Sequence, residues 1–214
     1  MLGCENAVEF YRTSAVEYLL AETRMGGSGH LKIRVAVVGD ARAIAEVQVR
    51  AWQEAYREIL PAHVLHALSV EARASTWAER IAAGSSILVV EEDGAIAGWT
   101  FFGACRDADA IPGEGEVYAI YVAPDRWSRG VGTVLWHEAS GILRAGGCQI
   151  VSLWVFEAND RARRFYEHLG FTAEPGARKL YVRDGATAPE IRYRRAIAGA
   201  SANPPLQPTG SAGS

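Results

Sequence analysis

The sequence predicts an α/β fold built on a mixed sheet flanked by helices, and three observations predict it. Short apolar runs alternate along the chain with segments whose apolar residues recur every three or four positions, the periods of strand and amphipathic helix. Asp93-Gly94 joins two of those runs, and this dipeptide favours the tight two-residue turn of a hairpin. Gly130 and Gly132 separate another run from the stripe Val134, Leu135, Ala139, Ile142 and Leu143, so a strand there passes directly into a helix.

Each element can be justified in order. "LKIRVAVV" from Leu31 is a first strand, and Asp40 is placed to cap a helix running to about Tyr56. Pro61 opens a second helical stretch, and in "SVEARASTWAERIAA" Val70, Ala74, Trp77 and Ile81 fall at helical spacing. "SSILVVEEDGAIAGWTFFGA" is the hairpin, and "EVYAIYVAP" follows an irregular acidic loop as the next strand. The helix after the glycine turn stops at Gly146-Gly147, and "CQIVSLWVF" is another strand. Asn159 caps a helix with Ala162, Phe165, Tyr166 and Leu169 on one face and Gly170 at its end, and "EIRYRRAI" alternates as a late strand. No repeat and no second core interrupts residues 32–197, read as one domain. Residues 1–31 are read as an N-terminal extension, with Val8, Tyr11, Tyr18 and Leu19 on an amphipathic helix ended by "GGSG" at Gly26–Gly29. Residues 198–214, rich in Pro, Gly, Ser and Ala, are expected to be a disordered tail.

Composition excludes several classes of function. A chain of 214 residues that is 49% hydrophobic and 22% charged can bury a substantial core. A net charge of -3 argues against a nucleic-acid binder that works by bulk phosphate attraction. No apolar run reaches the length of a membrane span, and Glu5, Glu9, Glu17 and Glu22 interrupt what would be a signal peptide. Cys4, Cys105 and Cys148 are few and odd in number, which fits a reducing cytoplasm better than a disulfide framework. Neither they nor the five histidines have metal-ligand spacing; His63 and His66 read as exposed helix residues, and no metal is expected.

The glycine turn carries the chemistry. A helix start leaves its first N–H groups without partners and bears about half a positive charge, and glycine lets an anion come close. The P-loop is excluded because Thr133 follows Gly132, and the dinucleotide fingerprint because position 135 is Leu. From spacing alone a ligand-free turn and a phosphate seat are both open.

"YVAPDRWSRGVGTVL" and "NDRARRFYEHLGF", in this order of elements, resemble the GNAT superfamily of acyl-CoA N-acyltransferases over residues 32–197. The resemblance implies the GNAT fold, a central, mostly antiparallel sheet flanked by helices, with acetyl-CoA as cosubstrate and its diphosphate on main-chain N–H groups around Arg129, Gly130, Val131, Gly132, Thr133 and Val134. Trp127 stands where the family's turn carries Gln or Arg, while Arg126 and Arg129 add charge. It further implies that the Val122 N–H polarises the thioester carbonyl beside Ile120 and Tyr121, and that Asn159 contacts the cofactor.

The implied reaction is attack of an amine on a thioester, giving an N-acetyltransferase for a primary amine of a small molecule or peptide. A lysine-type amine, with a pKa of about 10.4, is mostly ammonium at neutral pH, which withholds on the order of 4 kcal/mol unless a base helps; an α-amine needs only about 1 kcal/mol. By resemblance Glu116 is the base, acting through a water, and Tyr166 the acid that protonates the departing thiolate. Strand alternation puts Glu116, Tyr118, Ile120 and Val122 on one side, barring a bulge. Against these roles stand a solvated carboxylate for Glu116, a packed ring for Tyr166 and a simple helix cap for Asn159.

Clues to the acceptor are fewer. Trp52 and Tyr56 are four apart on a helix that borders the acceptor cleft in this family, and aromatics so spaced also read as core. Asp107, Asp109, Glu114 and Glu116 would favour a cationic amine, or else form a solvated acidic loop. A noncatalytic acyl-CoA-binding regulatory domain is the alternative to the enzyme, and the resemblance is compatible with a homodimer.

Overall fold

The computed structural model describes residues 31–183 and 185–197. The helix and "GGSG" stop expected in the N-terminal extension, and the tail expected to be disordered, lie outside the described residues. Among those described, the strands are β1 (Leu31–Val35), β2 (Ile87–Glu92), β3 (Ala95–Ala104), β4 (Glu114–Val122), β5 (Ile150–Phe156), β6 (Thr172–Arg183) and β7 (Ala186–Ala196). The helices are α1 (Ala41–Ala55), α2 (Ala62–His66), α3 (Val70–Ala82), α4 (Val131–Ala145) and α5 (Asp160–His168). The strands form a single sheet in the order β1-β2-β3-β4-β5-β7-β6. Every neighbouring pair is antiparallel except β4 and β5.

Local chemistry explains most boundaries. Asp93 and Gly94 have φ of 53° and 80°, the left-handed pair that a tight hairpin between β2 and β3 demands. Ser69 caps α3 by accepting from the Ala72 N–H at 3.1 Å, and Asn159 caps α5 by accepting from the Ala162 N–H at 3.1 Å. Asp40 differs from the expectation that it caps α1. Its carboxylate accepts from the Val37 N–H at 2.8 Å and from Arg34 at 2.6 and 2.8 Å, so it fastens the turn before α1 to β1.

The sheet buries both faces. On one, Ile87, Val89 and Trp99 pack with Ile44 and Trp77 of α1 and α3. The two indoles are satisfied, Trp99 donating to the Ile44 carbonyl at 3.0 Å and Trp77 to Gln48 at 2.9 Å. On the other face, Leu88 and Val90 meet Val131, Leu135, Trp136 and Ala139 of α4. Gly98 lets α4 approach β3, because a Cβ there would lie 2.9 Å from Val131 Cγ1. A third cluster joins Trp52, Leu60 and Val64 of the α1–α2 region to Phe156 of β5 and Ala186 and Ala188 of β7.

The parallel pair opens partway along. β4 and β5 pair only at Glu114 with Ile150, Gly115 with Val151 and Glu116 with Ser152, then run on unpaired to Val122 and Phe156. Opposite β3, Val117 faces Phe102 and Ala119 faces Phe101, so Tyr118 is the extra residue of a β-bulge. A bulge bends and twists its strand, and β4 parts from β5 at this point.

Candidate active site

The splay between β4 and β5 is the mouth of a cleft of about 570 Å³. On the α4 side its walls include Ile120, Val122, Val131 and Phe165; on the α1–α2 side they include Trp52, Tyr56, Phe156 and Tyr181. Ala123 donates its N–H to the Ala97 carbonyl of β3 at 2.9 Å. Strand alternation then turns the N–H groups of Ile120 and Val122 away from β3, toward the side that β5 has vacated. Two main-chain donors therefore face the cleft where no strand meets them.

The glycine turn supplies more donors. Gly130 is the N-cap of α4, left-handed at φ 84°, and no side chain caps the helix. A Cβ on Gly130 would meet nothing within 4 Å, so an anion can approach the first N–H groups of α4. Gly132 has a different reason from the one its sequence suggests: a Cβ there would lie 2.9 Å from Phe165 Cζ, so this glycine lets α5 pack on the start of α4. Trp127, in place of the family's Gln or Arg, donates to the Val122 carbonyl at 2.8 Å, and Arg161 lies 4.2 Å from its ring centroid. It ties the end of β4 to the turn. An uncapped helix start, an open left-handed glycine and flanking Arg161 fit a diphosphate, while Arg126 on the same wall is paired with Glu92 and Asp125; the free N–H groups of β4 fit an amide-bearing arm such as that of coenzyme A.

The structure brings most of the expected residues together. Ile120, Tyr121, Val122, Gly130, Val131, Gly132, Thr133, Asn159 and Tyr166 all line the cleft. Arg129 is exposed and Val134 packs into the core, neither on the cleft wall. Asn159 spends its side-chain oxygen on capping α5 and still borders the cleft. Tyr166 is buried, with Phe165 and Phe171 at 5.2 and 5.8 Å between centroids, and burial pushes its phenol well above the ordinary value. Burial raises Tyr56 and Tyr121 in the same way.

Glu116 differs most from expectation. The bulge at Tyr118 breaks the alternation: Val117 packs with Ile120 and Val122 on the α4 side, so Glu116 points to the opposite face from them. Its carboxylate is not part of the cleft wall. It accepts from Arg106 at 3.0 Å from Nε, 2.6 Å from Nη2 and 3.0 Å from the backbone N–H. The rest of the acidic loop is neutralised too. Asp107 and Asp109 pair with Arg192 at 3.1 and 2.6 Å, and Glu114 with Arg194 at 2.9 Å. These carboxylates knit the loop to β7 and are neither a cation-recruiting patch nor merely solvated.

Sequence reasoning passed over Glu190, Phe156, Tyr181 and Arg161, which also line the cleft. Glu190 left one signal, a carboxylate directly before the apolar Ile191 of a strand in which Ala188 and Ile191 are buried. Burial pushes its pKa above the usual carboxylate range, the charge of Glu116 adding to the rise and Lys179 opposing it. Among the described residues no group of three or more His, Cys, Asp or Glu could hold a metal, and no helix is long and apolar enough to cross a membrane.

Known proteins resemble this chain in sequence and in fold. The sequence profile of the Acetyltransferase (GNAT) family matches residues 47–171, more than half of the chain. The N-acetyltransferase YuaI of Bacillus subtilis (strain 168) is 31% identical over 127 residues, 59% of this chain and 72% of that protein. The L-amino acid N-acyltransferase MnaT of Escherichia coli (strain K12) is 28% identical over 143 residues, 66% of this chain and 79% of MnaT. Among solved structures, the yncA protein of Salmonella typhimurium with acetyl-CoA superposes with a TM-score of 0.62 at 22% identity, covering 83% of this chain and 99% of that one. The PaiA N-acetyltransferase of Thermoplasma acidophilum with coenzyme A has a TM-score of 0.58 at 19% identity, covering 75% and 97%. With its β4–β5 splay, its uncapped glycine turn and this sequence match, the chain belongs to the GNAT acetyltransferase family.

Proposed function

We propose that this N-acetyltransferase binds acetyl-CoA along the splay between β4 and β5 and transfers the acetyl group to a primary amine entering from the α1–α2 side. One observation carries the reading: the uncapped start of α4 and the unpaired N–H groups of Ile120 and Val122 face a single cleft. The first N–H groups of α4, from Val131 to Thr133, hold the diphosphate, helped by Arg161. The Val122 N–H donates to the thioester carbonyl and stabilises the oxyanion formed on attack. The amine nitrogen attacks the carbonyl carbon and the C–S bond then breaks. Tyr166, kept protonated by burial across the physiological range, hydrogen-bonds to the departing sulfur and protonates it.

Acetylation removes two protons from the ammonium nitrogen. The first must leave before attack; Glu116 receives it through a bridging water, and Arg106 holds that carboxylate in place. The second comes off the tetrahedral adduct and balances the proton given to sulfur. Names among the relatives and neighbours support an amine acceptor: L-amino acids for MnaT and the ribosomal protein S18 alanine for an Escherichia coli neighbour.

The test is coenzyme A protection together with thiol release. Wild-type protein is expected to gain thermal stability from coenzyme A and to release thiol from acetyl-CoA when an amine is added. Gly130→Asp costs about 1–2 kcal/mol at this left-handed position, which Asp tolerates better than most residues, and places a carboxylate against the diphosphate. It should stay folded and lose the protection; persistent protection would overturn the placement of the diphosphate.

A further inference from the structure

Among the described residues lining the cleft, Glu190 is the one carboxylate. Arg126, Arg161 and His168 are the side chains there that are basic. Glu190 lies on β7 opposite Phe156 of β5. Around it, Phe156 and Tyr181 are 5.3 Å apart between centroids, Tyr56 and Phe156 4.8 Å, and Trp52 and Tyr181 6.2 Å. The cleft thus has a basic, amide-rich side suited to an anion and an aromatic side with a single negative charge.

The Glu190 side chain is only 18% exposed, and its ion-pair partner, Lys179, stands 3.8 Å away, beyond hydrogen-bond distance. That ammonium also lies 4.1 Å from the Trp154 ring centroid. A desolvated carboxylate so loosely paired gains most from a second cation brought into contact.

We infer that Glu190, walled by Tyr56, Phe156 and Tyr181, seats the ammonium of the acetyl acceptor, and that this acceptor is a monoamine carried on an apolar or aromatic body. The rings cover an apolar body, and their faces also favour an ammonium beside them. A polyamine or aminoglycoside would bring further charges, and the other carboxylates nearby are tied to Arg106, Arg192 and Arg194. The inference rests on the acetyl-transfer reading for the identity of the acceptor.

Steady-state kinetics with 2-phenylethylamine, phenylalanine amide and spermidine, on wild-type protein and Glu190→Gln, test it. The aromatic amines are expected to exceed spermidine in kcat/KM by about tenfold or more. Glu190→Gln should raise KM for the aromatic amines by about tenfold or more, with KM for acetyl-CoA and thermal protection by coenzyme A unchanged. Calorimetric titration of 2-phenylethylamine into the purified chain reads the seat without turnover. Binding that weakens in Glu190→Gln supports the seat even if thiol release fails, and that failure would then count against acetyl transfer alone. Spermidine used as well as the aromatic amines would overturn the inference. So would a Glu190→Gln variant that loses kcat at unchanged amine KM, since Glu190 would then act on the chemistry and not on recognition.

Discussion

Tyr166 is placed so that neither of its rival readings excludes the other. The ring is packed against Phe165 and Phe171, and it also borders the cleft. Tyr166→Phe keeps the packing and removes the proton, so kcat is expected to fall about a hundredfold with KM for acetyl-CoA within about twofold. An unchanged kcat would leave the ring as packing only. Glu116→Gln tests the water-mediated base: the variant should lose much of the rate and alter the pH profile of kcat/KM. A variant with an unaltered profile removes the role. Asp40 is a structural residue with its own pH signature. The Arg34 guanidinium and the Val37 N–H hold its carboxyl below the usual range. Its contribution to stability is therefore present above the unfolded value of about 3.9 and is lost as pH falls through the lower folded value. Asp40→Asn should lower Tm at pH 7, and the wild-type and variant curves should converge in strong acid.

At the scale of elements, the turn into α4 and the bulge in β4 set the site. Both glycines of the turn were legible as a helix entrance, but their reasons differ. Gly130 needs its left-handed φ of 84°, whereas Gly132 is demanded by Phe165 from a helix that begins some thirty residues later. Gly132→Ala is expected to lower Tm and raise KM for acetyl-CoA several-fold, by pushing α5 off the start of α4. Adding Phe165→Leu should restore part of both, a coupling that independent sites would not show. The bulge at Tyr118 was not legible, because an extra residue in one strand is defined only by the strand opposite. "GEVYAIYV" alternates well enough to place Glu116 with Ile120 and Val122, and one inserted residue reverses that placement.

The whole molecule distributes its stability over two faces of one sheet and a third cluster that closes the cleft. Trp99 is fully buried at the centre of the α1–α3 face, stacked edgewise on Trp77 at 4.6 Å between centroids. Trp99→Ala removes a large ring and its hydrogen bond to the Ile44 carbonyl, so a loss of about 3–5 kcal/mol in denaturant unfolding is expected, with the whole sheet unfolding in one transition. A loss below 1 kcal/mol would mean that this face does not hold the sheet. The third cluster links stability to the site, since Trp52, Phe156 and Tyr181 pack together while lining the cleft. Trp52 and Tyr56, which their spacing left between core and recognition, pack in that cluster and line the cleft.

By itself the sequence determined the order of elements, the hairpin at Asp93-Gly94, the glycine entrance to α4 and the apolar helix face that carries Tyr166, because periodicity, turn chemistry and capping act over a few residues. The tertiary structure alone decided the splay of β4 from β5, the turning of Glu116 onto Arg106, the neutralising of the acidic loop by β7 and the arrival of Glu190 among the rings of α1 and β5. Each of these depends on strand register or on charges far apart in the chain, and register is fixed only when both partners are in place.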